Sequence, residues 1–198
     1  VSALQAGVDG PSHYLRSKGA AEQAIAATPA LRWTILQPSV IFGPGDSFVN
    51  RFAGLLGLVP LAMPLACPAA RFAPIHVDDV VAAVARVLAD PATDGRTYEL
   101  CGPEVYTLRE LVRMIAAATD RRRWIIGLPD WAARLQARVM ERLPGKLFTM
   151  DNYRSLGVPS VCRSDGCAEL GMTPRSLQLS LRSSLGLPAS RDSRAATV

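Results

Sequence analysis

Short unbroken apolar runs alternate along the chain with longer stretches in which apolar residues return every three or four positions. Trp33-Thr34-Ile35-Leu36, closed by Gln37-Pro38, predicts a buried strand, as do Phe72 to Val77 and Thr97 to Leu100. Between them the period is helical. Ser12 can cap an alanine-rich helix from Tyr14 to Ala27 that stops before Pro29, and Phe48 to Leu58 is an apolar helix. Asp78 or Asp79 would cap a helix from Val80 to Ala89, ended by Pro91 and Gly95, and Thr107 with Glu110 spells a capping box for a helix through Ala118. Val1-Ser2-Ala3 looks like the end of a further buried strand, and Ser39 to Asp46 is a loop of turn formers. Strand and helix in alternation predict an α/β fold with a largely parallel sheet.

Two stretches depart from that rhythm. Ala53 to Ala70 carries no charge, but prolines at 60, 64 and 68 are incompatible with a membrane-spanning helix, so a buried helix followed by an extended loop is expected. After residue 120 an amphipathic helix is expected over Pro129 to Leu143. Trp131, Leu135, Val139 and Leu143 lie on one side of it, and Arg134, Arg138 and Arg142 on another. Such a stripe packs on a small domain or rests on a membrane surface, and packing is the favoured expectation. Turns become frequent from Thr149 to Gly186. The expected division is 1–120 for the α/β part, 121–187 for a small α-rich region and 188–198 for a tail.

Composition narrows the partners. The 198 residues are 49% hydrophobic and 20% charged, with a net charge of +5, enough apolar material for one core. Basic residues are dispersed except at Arg121-Arg122-Arg123, so nucleic acid is not an expected partner. Cys67, Cys101, Cys162 and Cys167 match neither a metal knuckle nor a disulfide framework, and read as reduced thiols in a cytoplasmic protein. No secretory leader precedes them, and the missing initiator Met suggests an upstream segment outside this sequence.

Candidate chemistry lies in the first helix. Tyr14 and Lys18 are four residues apart and share a helix face. A phenolate and an ammonium about 4 Å apart attract by about 4 kcal/mol at an effective dielectric near 20, enough to draw a phenol toward neutral pH as a proton donor or acceptor. Lysine occurs otherwise only at position 146, which makes this one conspicuous. His76, in an apolar strand, reads as structural. Asp78 and Asp79 could form an acid and base pair, but capping accounts for them.

Ser2, Tyr14-x-x-x-Lys18, Gln37-Pro38-Ser39-Val40-Ile41-Phe42-Gly43-Pro44 and Arg71-Phe-Ala-Pro-Ile-His-Val-Asp-Asp-Val80 occur here in the order and at the intervals of one family. Over residues 1–120 the chain resembles the later two thirds of the extended short-chain dehydrogenase/reductases. Asp46-Ser-Phe-Val-Asn-Arg-Phe52, Thr149-Met-Asp-Asn-Tyr-Arg-Ser155 and Leu170-Gly-Met-Thr-Pro-Arg-Ser-Leu177 extend the resemblance toward the atypical branch that includes an accessory subunit of respiratory complex I. The resemblance implies that Tyr14 exchanges a proton with substrate and that Lys18 lowers its pKa and binds the nicotinamide ribose. Ser2 would orient the substrate oxygen. Pro38, Ser39 and Val40 would hold the nicotinamide carboxamide, and Arg71 would hold a substrate diphosphate. It implies a Rossmann-like fold with 1–120 as its dinucleotide-binding part, NAD or NADP as cofactor and a small-molecule substrate that the residues do not name.

One departure bears on all of this. The family grips the pyrophosphate in a glycine-rich turn after its first strand. Gly54-Leu-Leu-Gly57 has neither the strand before it nor the third glycine, and no acidic residue follows at the expected distance. The first two or three βαβ units are therefore expected to lie outside this sequence. The piece alone is expected to bind cofactor weakly or not at all, to be inactive and to expose apolar strand edges. Two functions fit the parent: an NAD(P)-dependent oxidoreductase or nucleotide-sugar epimerase/dehydratase, or a non-catalytic NAD(P)H-binding accessory or assembly protein of respiratory complex I or quinone biosynthesis. The second brings peripheral association with the cytoplasmic face of the inner membrane.

Overall fold

The structure, a computed structural model, describes residues 1–121, 123–142 and 148–188. Leu143, Lys146 and the expected tail from 189 lie outside the described residues. Helix α1, His13–Ala26, begins where the Ser12 hydroxyl accepts the Leu15 N–H at 3.1 Å, as its capping residue predicts. Strand β1, Thr34–Pro38, is followed by β2, Ile41–Phe42, a short strand in what reads as a loop. The Asp46 carboxylate accepts the Phe48 and Val49 N–H groups at 2.7 and 2.5 Å and so starts α2, Val49–Leu58. Strands β3, Ala62–Leu65, β4, Arg71–Phe72, and β5, Ile75–His76, lead into α3, Val77–Ala89. Then come β6, Arg96–Leu100, β7, Tyr106–Thr107, α4, Leu108–Ala118, and β8, Trp124–Gly127. The last elements are α5, Asp130–Met140, α6, Met150–Ser155, α7, Gly166–Glu169, and α8, Leu177–Ser184.

The α/β class and the largely parallel sheet are as the alternation predicts. Strands β1 and β6 pair in parallel with Leu36 opposite Tyr98; β2 with β5 and β3 with β8 are also parallel. Only β4 with β7 is antiparallel among the described strand pairs. The opening residues add to the free side of β1, Ser2 N–H donating to Leu36 O at 2.7 Å and Leu4 N–H to Pro38 O at 3.0 Å. The buried strand expected over Val1-Ser2-Ala3 does not form: no strand precedes α1 among the described residues, and Val1 is exposed. Two apolar clusters hold the layers together. Leu36, Ile75, Val80, Tyr98 and Leu100 lie between the β1–β6 pair and α3, while Leu56, Leu65, Leu108, Val112 and Ile115 join α2, β3 and α4. Leu177 and Leu181 of α8 enter the second cluster and Cys167 and Leu170 the first, so the residues after 120 complete cores begun before it.

Four further expectations are corrected. The extended loop after α2 contains β3, because Pro64 can sit in a strand at a sheet edge where its missing N–H is not needed. Its partner β8 follows the arginine run and is only four residues long, too short for alternation to show. The cap of α3 is His76, whose Nδ1 accepts the Asp78 N–H at 3.2 Å; Asp78 and Asp79 lie in the first turn instead. Cys101 and Cys162 are joined by a disulfide across 61 positions, while Cys67 and Cys167 are free. The fold brings the end of β6 against the segment before α7, a juxtaposition that spacing along the chain cannot disclose. Finally, the apolar stripe of α5 is not packed. Trp131, Leu135 and Val139 are exposed, and the helix buries Ala133 and Ala137 because small side chains let it approach closely. No described helix is long and apolar enough to cross a membrane.

Candidate active site

The first segment, the start of α1, the β1–β2 turn, α2, β3 and residues 148–160 enclose a cavity of about 760 Å³. That is the size of a pocket for a small organic molecule. Ser2, Tyr14, Pro38, Ser39 and Val40, all expected at the site, line it together. The Ser2 hydroxyl is buried in the wall and has no hydrogen-bond partner among the described residues. Such a group is costly unless something binds it. Ser39 is engaged on both sides: its N–H donates to Leu100 O at 2.9 Å and its hydroxyl to Ser160 O at 2.7 Å. Val40 O accepts the Ile75 N–H at 3.0 Å. A carboxamide at this turn would therefore be met by the Ser39 carbonyl or the Val40 N–H.

Lys18 stands apart from the wall, and its ammonium donates to Val1 O at 3.5 Å, the carbonyl just before Ser2. The half-buried Tyr14 phenol is pushed up from its ordinary value by burial, opposite to the lowering expected from Lys18. A phenol so placed stays protonated through neutral pH and is a donor rather than a base. Arg71 is exposed on β4 and off the cavity wall; its neighbour Phe72 lines the cavity. A diphosphate held by Arg71 would lie outside this space.

A residue not singled out for function controls the Tyr14 end. Asp151, in the first turn of α6, accepts the His13 N–H at 2.6 Å and the Tyr14 N–H at 3.1 Å. These are two of the donors that the start of a helix leaves unpaired, and a carboxylate there also complements the helix dipole. Thr149 and Asn152 fix α6 with a reciprocal capping box. Its sequence signal was the segment Thr149–Ser155, which carries a family likeness but no visible reason for the aspartate. Directly after Lys18, Gly19 packs so closely on Gly7 that a Cβ would meet the Gly7 Cα at 2.4 Å. Asp151→Ala should lower stability by about 1 kcal/mol in a urea titration, and should reduce turnover more than cofactor affinity. Unchanged values for both would remove Asp151 from any positioning role.

The other titratable candidates are structural. His76 is buried edge-on to Phe42, with ring centroids 5.1 Å apart. Asp78 and Asp79 serve neither as acid nor as base: Arg175 pairs with Asp78, and its N–H donates to Asp79 at 2.8 Å, fixing the segment before α8. No cluster of three metal-ligating side chains exists among the described residues.

A parallel α/β sheet with a tyrosine and a serine at the ends of its elements, on one cavity, defines a Rossmann-like protein. NADPH-dependent quinone oxidoreductase QOR2 from Escherichia coli, solved with NADPH, has this fold: TM-score 0.67, 17% identity, covering 89% of this chain and 61% of that one. The chain resembles the extended, atypical short-chain dehydrogenase/reductases. It is 38% identical over 120 residues to the alpha subcomplex subunit 9 of mitochondrial NADH dehydrogenase [ubiquinone] 1 from Arabidopsis thaliana, covering 58% of this chain and 29% of that protein. To the mouse subunit of the same name it is 30% identical over 185 residues, 90% of this chain and 48% of that protein. The chain thus spans half or less of these relatives' length. No family model matches it.

Proposed function

We propose that this chain supplies the proton-handling half of an NAD(P)-dependent oxidoreductase site. One observation carries the reading: the unpartnered Ser2 hydroxyl and the Tyr14 side chain line one cavity bounded by the Pro38 turn. The residues fit the nicotinamide end of the cofactor, with Lys18 beside the first segment for the ribose and Ser39–Val40 for the carboxamide. NAD or NADP would supply or accept hydride. Ser2 would hold a substrate oxygen in place, and Tyr14 would donate a proton to it, the direction its raised pKa favours. Adding the full-length parent to NADH or NADPH with an aliphatic aldehyde should consume the reduced nicotinamide. Tight binding without consumption would instead favour the second reading.

That second reading is a non-catalytic NAD(P)H-binding subunit of a respiratory or quinone-biosynthesis assembly. The complex I subunits among its relatives favour it, and so does α5, whose exposed Trp131, Leu135 and Val139 adjoin Arg134 and Arg138. An apolar stripe flanked by arginine suits the cytoplasmic face of an anionic inner membrane. The full chain should then float with phosphatidylglycerol vesicles, and Trp131→Ser with Leu135→Ser should abolish flotation. Equal flotation of the variant would exclude α5 as the contact.

A further inference from the structure

We infer that the cavity takes a neutral carbonyl or alcohol compound with a long alkyl chain, and not a nucleotide-linked sugar; this rests on the oxidoreductase reading and names its substrate class. The wall beyond Ser2 and Tyr14 is mainly hydrocarbon on the side of α2 and β3, with Gln5, Ser47, Gln136, Asn152 and Ser155 among the polar residues elsewhere on it. Helix α2 contributes Phe48, Phe52 and Leu55, β3 contributes Met63 and Leu65, and Leu156 closes the other side. The α2 and β3 side of the lining rewards burial of methylene groups and offers a polar chain no partners there.

Charge points the same way. Among the described lining residues the charged side chains are one arginine, Arg51, and one aspartate, Asp151. Both Asp151 oxygens already accept N–H groups of α1. A diphosphate brings at least two negative charges, and a wall whose formal charges cancel does not compensate them. Arg71, the residue implied for a diphosphate, is off the wall. Of the buried polar side-chain atoms on the wall, the Ser2 hydroxyl is the one left without a hydrogen-bond partner among the described residues, and with Tyr14 it can hold a single oxygen atom. In the reductive direction the carbonyl carbon gains a hydride, its two electrons coming from the reduced nicotinamide. The oxygen gains the Tyr14 proton, which solvent restores, and the product is an alcohol.

The test is displacement of the fluorescent probe anilinonaphthalene sulfonate from the full chain by methyl ketones from butanone to dodecanone, with UDP-glucose as comparator. Burial of one methylene corresponds to about fourfold in affinity, so the dissociation constant should fall by about that factor per added carbon until the cavity is full. UDP-glucose should not displace the probe. Affinity independent of chain length, or UDP-glucose binding tighter than dodecanone, would overturn the inference. Leu55→Asp should flatten the length dependence and Trp131→Ser should leave it intact; the reverse would place the chain on α5 and also overturn it. If Leu55→Asp fails to fold, the wild-type series still decides. Tyr14→Phe should keep the length dependence, so a chain that binds long ketones without turning them over refutes the proton role alone, and turnover without length dependence refutes the alkyl site alone.

Discussion

Replacing Tyr14 by phenylalanine in the full-length parent should lower turnover by about 10²- to 10⁴-fold, the usual contribution of a positioned proton donor, while leaving cofactor affinity nearly unchanged. The ring keeps its place because its helix is held from elsewhere: Ser12 caps it, Asp151 grips its first turn and Gly19 seats it on Gly7. Only the hydroxyl is lost. The wild-type pH profile carries the companion expectation. Burial raises the Tyr14 pKa, so the donor form persists through neutral pH, and reduction should fall only in the alkaline range as the phenol ionises. The phenylalanine variant should lose that alkaline limb. Steady-state kinetics across pH, with nicotinamide fluorescence for affinity, checks both. Equal turnover in wild type and variant would remove Tyr14 from the chemistry.

The largest effect on stability is expected from opening the Cys101–Cys162 bridge. It closes a loop of 61 positions and joins the end of β6 to the segment leading into α7. Restricting the unfolded chain over a loop of that length corresponds to about 4 kcal/mol. Cys101→Ser with Cys162→Ser should therefore lower the urea midpoint strongly, and a reducing agent should do the same to the wild type. Thiol titration of the unfolded wild type, with and without reductant, establishes how many cysteines were bridged. An intact bridge whose removal leaves the midpoint unchanged would contradict the expectation. The bridge also sets a condition on the expected cytoplasmic setting, since reducing compartments keep such cysteines apart.

What could be read from the residues was mostly local. Ser12 announces α1, Thr107 with Glu110 announces α4, and the run up to Pro38 announces β1, because each depends on neighbours within a few positions. Long-range pairings were not legible. Strand β3 is disguised by its prolines and β8 by its brevity, and they become strands only by pairing with each other. Cys101 with Cys162 and Asp78 with Arg175 also meet only through the fold. At the candidate site, Ser2, Tyr14 and the Pro38 turn could be grouped through their family pattern, and they share one cavity. The direction of the Tyr14 shift could not be foreseen, since it depends on desolvation by packed neighbours rather than on the spacing to Lys18. The outward stripe of α5 misled for a related reason: a helix with alanines on its opposite side can pack through those instead.

Because Asp151 sets the first turn of α1 from 138 positions downstream, the Tyr14 end is finished late in synthesis. A ribosome-bound chain that has emerged only as far as β8 already carries every residue assigned to proton transfer, yet lacks the carboxylate that fixes their helix. Proteolytic trimming from the C-terminus past α6 would return the molecule to that unfinished condition without touching Ser2, Tyr14 or Lys18.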